Sequence, residues 1–364
     1  MNLEMAEDRA PATGLREWQG LPEGLLDLDA SELAEALGGP ALIHIPGRRE
    51  PPVFVSVLLH GNETTGWEAV RSVLRAYVAR ELPRALSLFI GNGAAAAEGV
   101  RALPGQPDYN RIWRGGDGPE AAMAASVRER MARRGIFASL DIHNNTGSNP
   151  YYGCVNRLDP RYLHLARLFS RTIVYFTRPA EVQSNAFADL GPAVTVECGR
   201  PGMPEGTEHA ARWLDAVLHT AELPDHGPPP EDFDLFHTVA TVKVRPEISV
   251  GFERGDLVLR GDLDHLNFVE LPAGTGLGEV HGQRPERLGE ILDDEPIYFP
   301  RRRGTERRDQ TRLTGDFVVT APLERSGRSN STTLITQLSD HTEVDRQQAM
   351  ADVSICAESH TTAS

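Results

Sequence analysis

Along this 364-residue chain, short apolar runs alternate with longer stretches whose apolar residues recur at helical spacing. Residues 41–45 and 53–59 are short, apolar and bounded by glycine or proline, which predicts buried strands. Residues 65–80 put Trp67, Val70, Val73, Leu74 and Tyr77 on one face of a predicted helix. Strand 85–90, helix 120–134, strand 136–142, helix 160–170, strands 172–176 and 193–197, and helix 205–221 follow. This alternation predicts an α/β domain with a mostly parallel or mixed sheet. Residues 1–40 read as a polar lead-in with one short amphipathic helix at 31–37. Residues 92–118 read as a long Gly/Pro-rich loop, and loops of that length in compact domains are functional or disordered.

The run Leu223-Pro224-Asp225-His226-Gly227-Pro228-Pro229-Pro230 reads as a linker. Beyond it only short β-like runs occur, at 236–244, 248–252, 266–271, 276–280 and 297–299. The expected organisation is an α/β domain over 1–225 and a small all-β domain over 233–300. From Arg301 the chain turns to Arg, Asp, Ser and Thr, and only 313–319 has strand character. Residues 301–364 are therefore expected to form a largely disordered tail. No internal repeat is visible.

Composition narrows the function. Basic residues number 37 and acidic ones 52, a formal charge of −15, and such a surface repels phosphate backbones, so nucleic acid is not an expected partner. The chain is 40% hydrophobic and 24% charged, as expected of a soluble globular protein. Lys243 is the single lysine, so P-loop chemistry is excluded and a Schiff base could form only there, in the strand-like run Thr241-Val242-Lys243-Val244. Cys154, Cys198 and Cys356 are too few and too scattered for a disulfide framework or a cysteine zinc knot. The acidic start has no apolar leader segment, and the apolar run 53–59 is too short to span a bilayer. A cytoplasmic protein with no membrane partner is expected.

Three predicted strands end in ionisable residues: Leu58-Leu59-His60-Gly61-Asn62-Glu63, Leu140-Asp141-Ile142-His143-Asn144-Asn145 and Val194-Thr195-Val196-Glu197-Cys198-Gly199. In open α/β sheets, ligands gather at the carboxyl ends of strands. His60 and Glu63 form His-x-x-Glu, with Gly61 permitting a sharp turn and Glu63 expected in the first turn of the next helix. A second His-x-x-Glu, His219 and Glu222, falls beside the linker and reads as solvated surface. His143 supplies a third ligand, completing the His₂Glu set of catalytic zinc sites. The competing reading is a pair of hydrogen-bonded histidines at strand ends. Glu197 follows an apolar run, so desolvation would raise its pKa and suit it to general base and acid work. The alternative there is an ion pair with an arginine such as Arg200. Asn110 and Arg111 suit a bidentate grip on a carboxylate, and Arg101 could stabilise an oxyanion. With 36 arginines in the chain, each is open to the simpler reading of a surface charge.

These pieces together resemble the zinc carboxypeptidase superfamily, most closely its succinylglutamate desuccinylase/aspartoacylase branch. The matching residues are His60-Gly61-Asn62-Glu63, Asp108-Tyr109-Asn110-Arg111, Asp141-Ile142-His143-Asn144 and Val196-Glu197-Cys198-Gly199. The resemblance covers about residues 40–300 and implies a carboxypeptidase-like mixed sheet flanked by helices, then a small all-β domain. It implies that His60, Glu63 and His143 hold one Zn²⁺ per chain and that Glu197 is the general base and acid. Asn110 and Arg111 would bind a substrate carboxylate. Gly99-Val100-Arg101 looks like the family's Gly-x-Arg, making Arg101 the carbonyl-polarising group. Asp141 would support the zinc site by accepting from a ligating histidine. The family's extra arginine before the base glutamate has no counterpart in Gln183-Ser184-Asn185-Ala186-Phe187-Ala188-Asp189, and Arg157 and Arg178 do not match it by position.

The expected function is a zinc-dependent amidohydrolase (a deacylase) acting on an N-acyl amino acid or a similar small anionic substrate. The alternatives are a metallocarboxypeptidase acting on a short peptide and a catalytically silent ligand-binding homologue. The sequence leaves open whether the chain acts alone or as a homo-oligomer.

Overall fold

The structure is a computed structural model and describes residues 14–145, 147–244, 249–271, 276–281, 289–290, 314–322 and 332–339. The expected strand at 297–299, Cys356 and the start of the chain lie outside the described residues.

The chain runs through β1 (Arg16–Gln19), α1 (Leu33–Leu37), β2 (Ala41–Ile45), β3 (Val53–Val57), α2 (Thr65–Ala76), β4 (Leu86–Ile90) and α3 (Gly93–Ala97). It continues with α4 (Pro119–Arg134), β5 (Ala138–His143), β6 (Tyr152–Val155), α5 (Pro160–Phe169), β7 (Thr172–Tyr175), α6 (Gln183–Phe187), β8 (Ala193–Glu197), α7 (Pro204–His219) and β9 (Asp234–Val244). These strands join one mixed sheet in the order β1-β2-β4-β3-β5-β8-β6-β7-β9. Its centre, β4-β3-β5-β8, is parallel, so the carboxyl ends of β3, β5 and β8 lie along one edge. All four central strands are buried along their whole length, which is why they read as apolar runs without alternation. Helix α7 packs against both α2 and α5.

The sheet does not stop at the linker. β9 pairs in parallel with β7, from Thr172 opposite Asp234 to Tyr175 opposite His237. The strand expected to open a separate β-domain thus extends the first sheet, because the edge of β7 offers it a free row of backbone partners. Next come β10 (Val250–Gly251), β11 (Leu257–Leu259), β12 (Glu270–Leu271), β13 (Gly278–Val280), β14 (Gly289–Glu290), β15 (Thr314–Pro322) and β16 (Thr332–Ser339). β10, β11 and β13 form a separate three-stranded sheet. β15 pairs with β9 and β16 with β15, both antiparallel. Two strands therefore stand within the stretch that composition reads as disordered. Ladder hydrogen bonds are made by backbone, and composition registers side chains only.

The lead-in also contributes more than its polarity suggests. β1 forms the sheet edge on β2, and Leu15, Leu25, Leu33 and Leu37 join the main core. Leu33 and Leu37 stand four apart on the predicted amphipathic helix, whereas Leu15 and Leu25 belong to no periodic pattern.

An aromatic cluster ties the long loop to the sheet. Phe54 of β3 stacks on Phe187 of α6 at 4.5 Å, and Trp113 of the loop stands edge-on to Phe187 and to Phe89 of β4, at 5.6 Å in each case. Trp113 Nε1 donates to Tyr109 O at 2.8 Å, so the cluster anchors the segment holding Asn110 and Arg111. Replacing a buried aromatic residue by alanine leaves a cavity that a packed core does not refill. Phe187→Ala is expected to lower stability by about 3–5 kcal/mol, read by urea unfolding. A change within experimental error would show that the cluster is not core.

Candidate metal centre

β3 ends at Val57, and Leu58 then adopts φ 55, a left-handed conformation rare for a branched residue, which bends the chain out of the sheet. His60 and Glu63 occupy the turn that follows, closed by Glu63 N donating to His60 O at 3.1 Å. Glu63 therefore precedes α2 rather than sitting in its first turn. Gly61 is required by closeness, not by a left-handed backbone. A Cβ there would lie 2.3 Å from Ala95 C and Ala96 N of α3. Gly61 N also donates to Arg101 O at 3.0 Å, which fastens the long loop against the turn.

β5 delivers Asp141 and His143, and β8 delivers Glu197 directly opposite His143 in the parallel register. His60 Nδ1 lies 2.8 Å from Glu63 Oε1, His143 Nδ1 lies 2.8 Å from Glu63 Oε2, and the two Nδ1 atoms are 3.2 Å apart. All three residues are buried, with ligand atoms within 4.8 Å of one another. The outer ring nitrogens are engaged as well. His143 Nε2 donates to Asp141 Oδ2 at 2.9 Å, and His60 Nε2 donates to Asp108 Oδ1 at 3.0 Å. With hydrogens on both Nε2 atoms, the Nδ1 lone pairs converge with the Glu63 oxygens on one point. Lone pairs crowded in this way need a cation or extra protons between them, and two imidazoles with one carboxylate are a donor set that suits zinc. The residues fit such an ion.

Further contacts hold the donors in place. Glu63 Oε2 accepts from Asn144 N at 3.0 Å and Oε1 from Arg101 Nη1 at 3.3 Å. Asp141 has no exposed surface and accepts from Ser56 Oγ at 2.7 Å. Asp108 binds His60, accepts from Arg101 Nη2 at 2.9 Å and caps Asn110 N at 2.7 Å. The Asp-x-Asn-Arg motif marks Asp108 in the sequence, but nothing in that spacing says that its carboxylate serves His60. Asn110 Oδ1 accepts from Gln183 N at 2.8 Å. Its Nδ2 faces His143 Nε2 at 3.3 Å, a nitrogen whose hydrogen already goes to Asp141, so the Asn110 amide hydrogens remain for a ligand. Arg111 Nη1 rests on Asn110 O at 2.8 Å. Arg157 and Arg178 are both exposed.

The two buried glutamates differ in protonation. Burial alone would raise Glu63, but the charges and hydrogen bonds of His60 and His143 outweigh it and hold the carboxyl well below its ordinary range. Burial works against charge on His143 too, and there Asp141 and Glu63 prevail and lift it well above the usual imidazole value. Glu197 is pushed from its ordinary 4.5 up to about 8, chiefly by burial, with His143 and Arg101 opposing and Glu63 and Asp141 reinforcing. Its Oε2 is buried without a hydrogen-bond partner.

A folded-state pKa above the unfolded one contributes stability that is full at low pH and lost as pH rises. In metal-free protein Glu197 keeps its proton to about pH 8 when folded but only to about 4.5 when unfolded, so its contribution fades between those limits. In chelator, the melting temperature of Glu197→Gln should fall less than that of the wild type between roughly pH 5 and 8. Parallel profiles would show that Glu197 is ionised in the fold.

Residues 50–219 match the family model described as the Succinylglutamate desuccinylase/Aspartoacylase catalytic domain, and residues 265–349 match a Domain of unknown function (DUF7997). No curated protein matches the chain. Among solved structures, succinylglutamate desuccinylase from Vibrio parahaemolyticus is similar at 14% identity, over 81% of this chain and 89% of that one, with a TM-score of 0.54. The Vibrio cholerae enzyme of that name is similar at 14% identity, over 81% and 88%, with a TM-score of 0.51. A succinylglutamate desuccinylase/aspartoacylase from Rhodobacter sphaeroides is similar at 15% identity, over 82% and 88%, with a TM-score of 0.51. At such identities the structural likeness shows a shared fold. Every donor and carboxylate-binding candidate described above falls inside the segment, residues 50–219, that matches the succinylglutamate desuccinylase/aspartoacylase catalytic domain.

Proposed function

We propose that the protein is a zinc-dependent deacylase that hydrolyses the amide bond of an N-acyl amino acid or a similar small carboxylate. The observation that carries this reading is the pairing of a convergent His60, Glu63 and His143 donor set with a buried carboxyl, Glu197, whose Oε2 has no hydrogen-bond partner and which stands directly across from His143. A scaffold or a passive binding site has no use for a carboxyl held near neutrality in that place.

A zinc ion held by these three residues would supply Lewis acidity at the scissile carbonyl and make water acidic enough to react near neutral pH. Glu197, with a pKa raised to about 8, is matched to moving a proton at working pH. It takes a proton from the attacking water as the C–O bond forms, and passes it to the amide nitrogen as the C–N bond breaks. The products are a carboxylic acid and a free amine. Arg101, placed by its contacts to Glu63 and Asp108, offers positive charge for the oxygen that becomes anionic. Asn110 and Arg111 hold the substrate carboxylate, the amide through hydrogens left free by the Gln183 contact.

The test combines metal analysis with a panel of N-acyl amino acids and dipeptides. Wild-type protein should contain about one zinc per chain, and His143→Ala should lose it. Glu197→Gln should keep the zinc while kcat drops about 10²–10⁴-fold. Arg111→Leu should act mainly on KM. Turnover of dipeptides alone would favour a carboxypeptidase, and zinc-loaded protein without any turnover would favour a silent binding homologue.

Asp108 provides a separate check on how the site is held. Asp108→Asn keeps the shape but removes the charge shared by His60 and Arg101, and should weaken zinc affinity about 10–100-fold, read by competition with a chelator. Unchanged affinity would remove Asp108 from the support of the site.

A further inference from the structure

The loops leaving β5 and β8 hold polar atoms that the deacylation chemistry does not use. Asn145 is 4% exposed, and neither its amide nitrogen nor its amide oxygen has a hydrogen-bond partner. Asn149, on the same loop, also has both amide atoms buried and unpartnered. Asn144 behaves in the opposite way. Its Nδ2 donates to Thr65 Oγ1 at 2.9 Å and to Gly199 O at 2.8 Å, and its Oδ1 accepts from Thr65 N at 3.3 Å. Of two adjacent asparagines, one is fully spent on joining α2 to the loop after β8, and the other is spent on nothing.

The position of Asn145 follows from the ladder. Cys198 N donates to His143 O at 2.9 Å, and Asn145 N donates to Gly199 O at 3.1 Å, so the β5–β8 pairing continues past both strand ends. Along an extended chain, alternate residues share a face, which puts Asn145 on the alternation of Asp141 and His143 and Asn144 on the other. A buried amide without partners destabilises a fold and calls for an explanation such as a missing ligand group. Of the arginines near the metal centre, Arg111 is given to the substrate's own carboxylate and Arg101 to the developing oxyanion. Arg101 is engaged by Glu63 and Asp108, and Glu63, Asp108 and Asp141 make the surroundings anionic.

We propose that Asn145, with Asn149 of the same loop, forms a neutral polar subsite that selects substrates carrying an uncharged amide over those carrying a second carboxylate. This rests on the deacylase reading and specifies its substrate class, namely N-acyl amino acids with a carboxamide side chain. A primary amide both donates and accepts, so it can satisfy a carboxamide in both directions. A carboxylate only accepts. It would leave the asparagine oxygens facing an anion, in an enclosed site already rich in carboxylates.

N-acetylglutamine and N-acetylglutamate form the deciding pair, because they are nearly isosteric and differ in charge. Wild-type enzyme should prefer the carboxamide by about tenfold or more in kcat/KM. Asn145→Leu should reduce that preference to within about twofold while leaving the melting temperature equal or higher, since no hydrogen bond is lost. The Asn149→Leu variant should move the preference in the same direction. Preference for the carboxylate, or a preference that survives Asn145→Leu, overturns the proposal. An Asn145→Leu chain that melts lower or fails to fold assigns Asn145 to the scaffold and also overturns it. If neither compound is hydrolysed, the deacylase reading is judged on the wider panel of N-acyl amino acids, and calorimetric binding of the two compounds to zinc-loaded protein decides the subsite by itself. Tighter binding of the carboxamide, lost in Asn145→Leu, supports the proposal. Equal binding or none overturns it.

Discussion

Three sets of lone pairs meet in a buried space: Nδ1 of His60, Nδ1 of His143 and the carboxylate of Glu63. Such an arrangement repels itself unless positive charge stands among its members, and much of the surrounding structure keeps them together. Asp108 and Asp141 fix the outer nitrogens, which sets the tautomers and directs the inner lone pairs. Asp141 can be wholly buried because Ser56 donates to it and His143 faces it. Asn144 supplies both a backbone N–H to Glu63 and a side chain that binds Thr65 at the start of α2. The parallel order of β3, β5 and β8 is what brings these residues to one edge of the sheet.

Burial has opposite outcomes at two glutamates of the same centre. Glu63 is surrounded by imidazoles, a guanidinium and a backbone N–H, and it stays ionised. Glu197 has burial as its dominant influence and an oxygen without a partner, and it holds its proton to about pH 8. Environments of this kind pull the pKa values of like groups apart, keeping one ionised and letting the other hold a proton. The chain's net charge of −15 sharpens the contrast. Local positive potential at the site has to come from Arg101, Arg111 and whatever cation the donors hold, and the first of these is already engaged by Asp108.

The apolar runs at β2, β3, β4, β5 and β8 were legible because strands buried on both faces are predominantly apolar. The chemistry at their ends was legible because reactive side chains are confined to strand termini and turns. His60, Glu63, His143 and Glu197 stand out for that reason, and so does the Asp108-Tyr109-Asn110-Arg111 run. The sequence alone thus determined that an α/β sheet forms, where its apolar strands lie, and which residues at their ends are the candidates for ligands and a base.

Tertiary structure decided the rest. Pairing is a property of edges, so only the folded sheet shows β9 continuing from β7, and β15 and β16 continuing from β9. Only close approach explains Gly61, whose missing side chain makes room for the backbone of α3. Only assembly turns Asp108 toward His60, and only assembly distinguishes Asn144, with its side-chain amide fully engaged, from Asn145, whose side-chain amide has no partner. Local pattern registers periodicity and residue type. Partnership between polar atoms far apart in the chain exists only once the chain is packed.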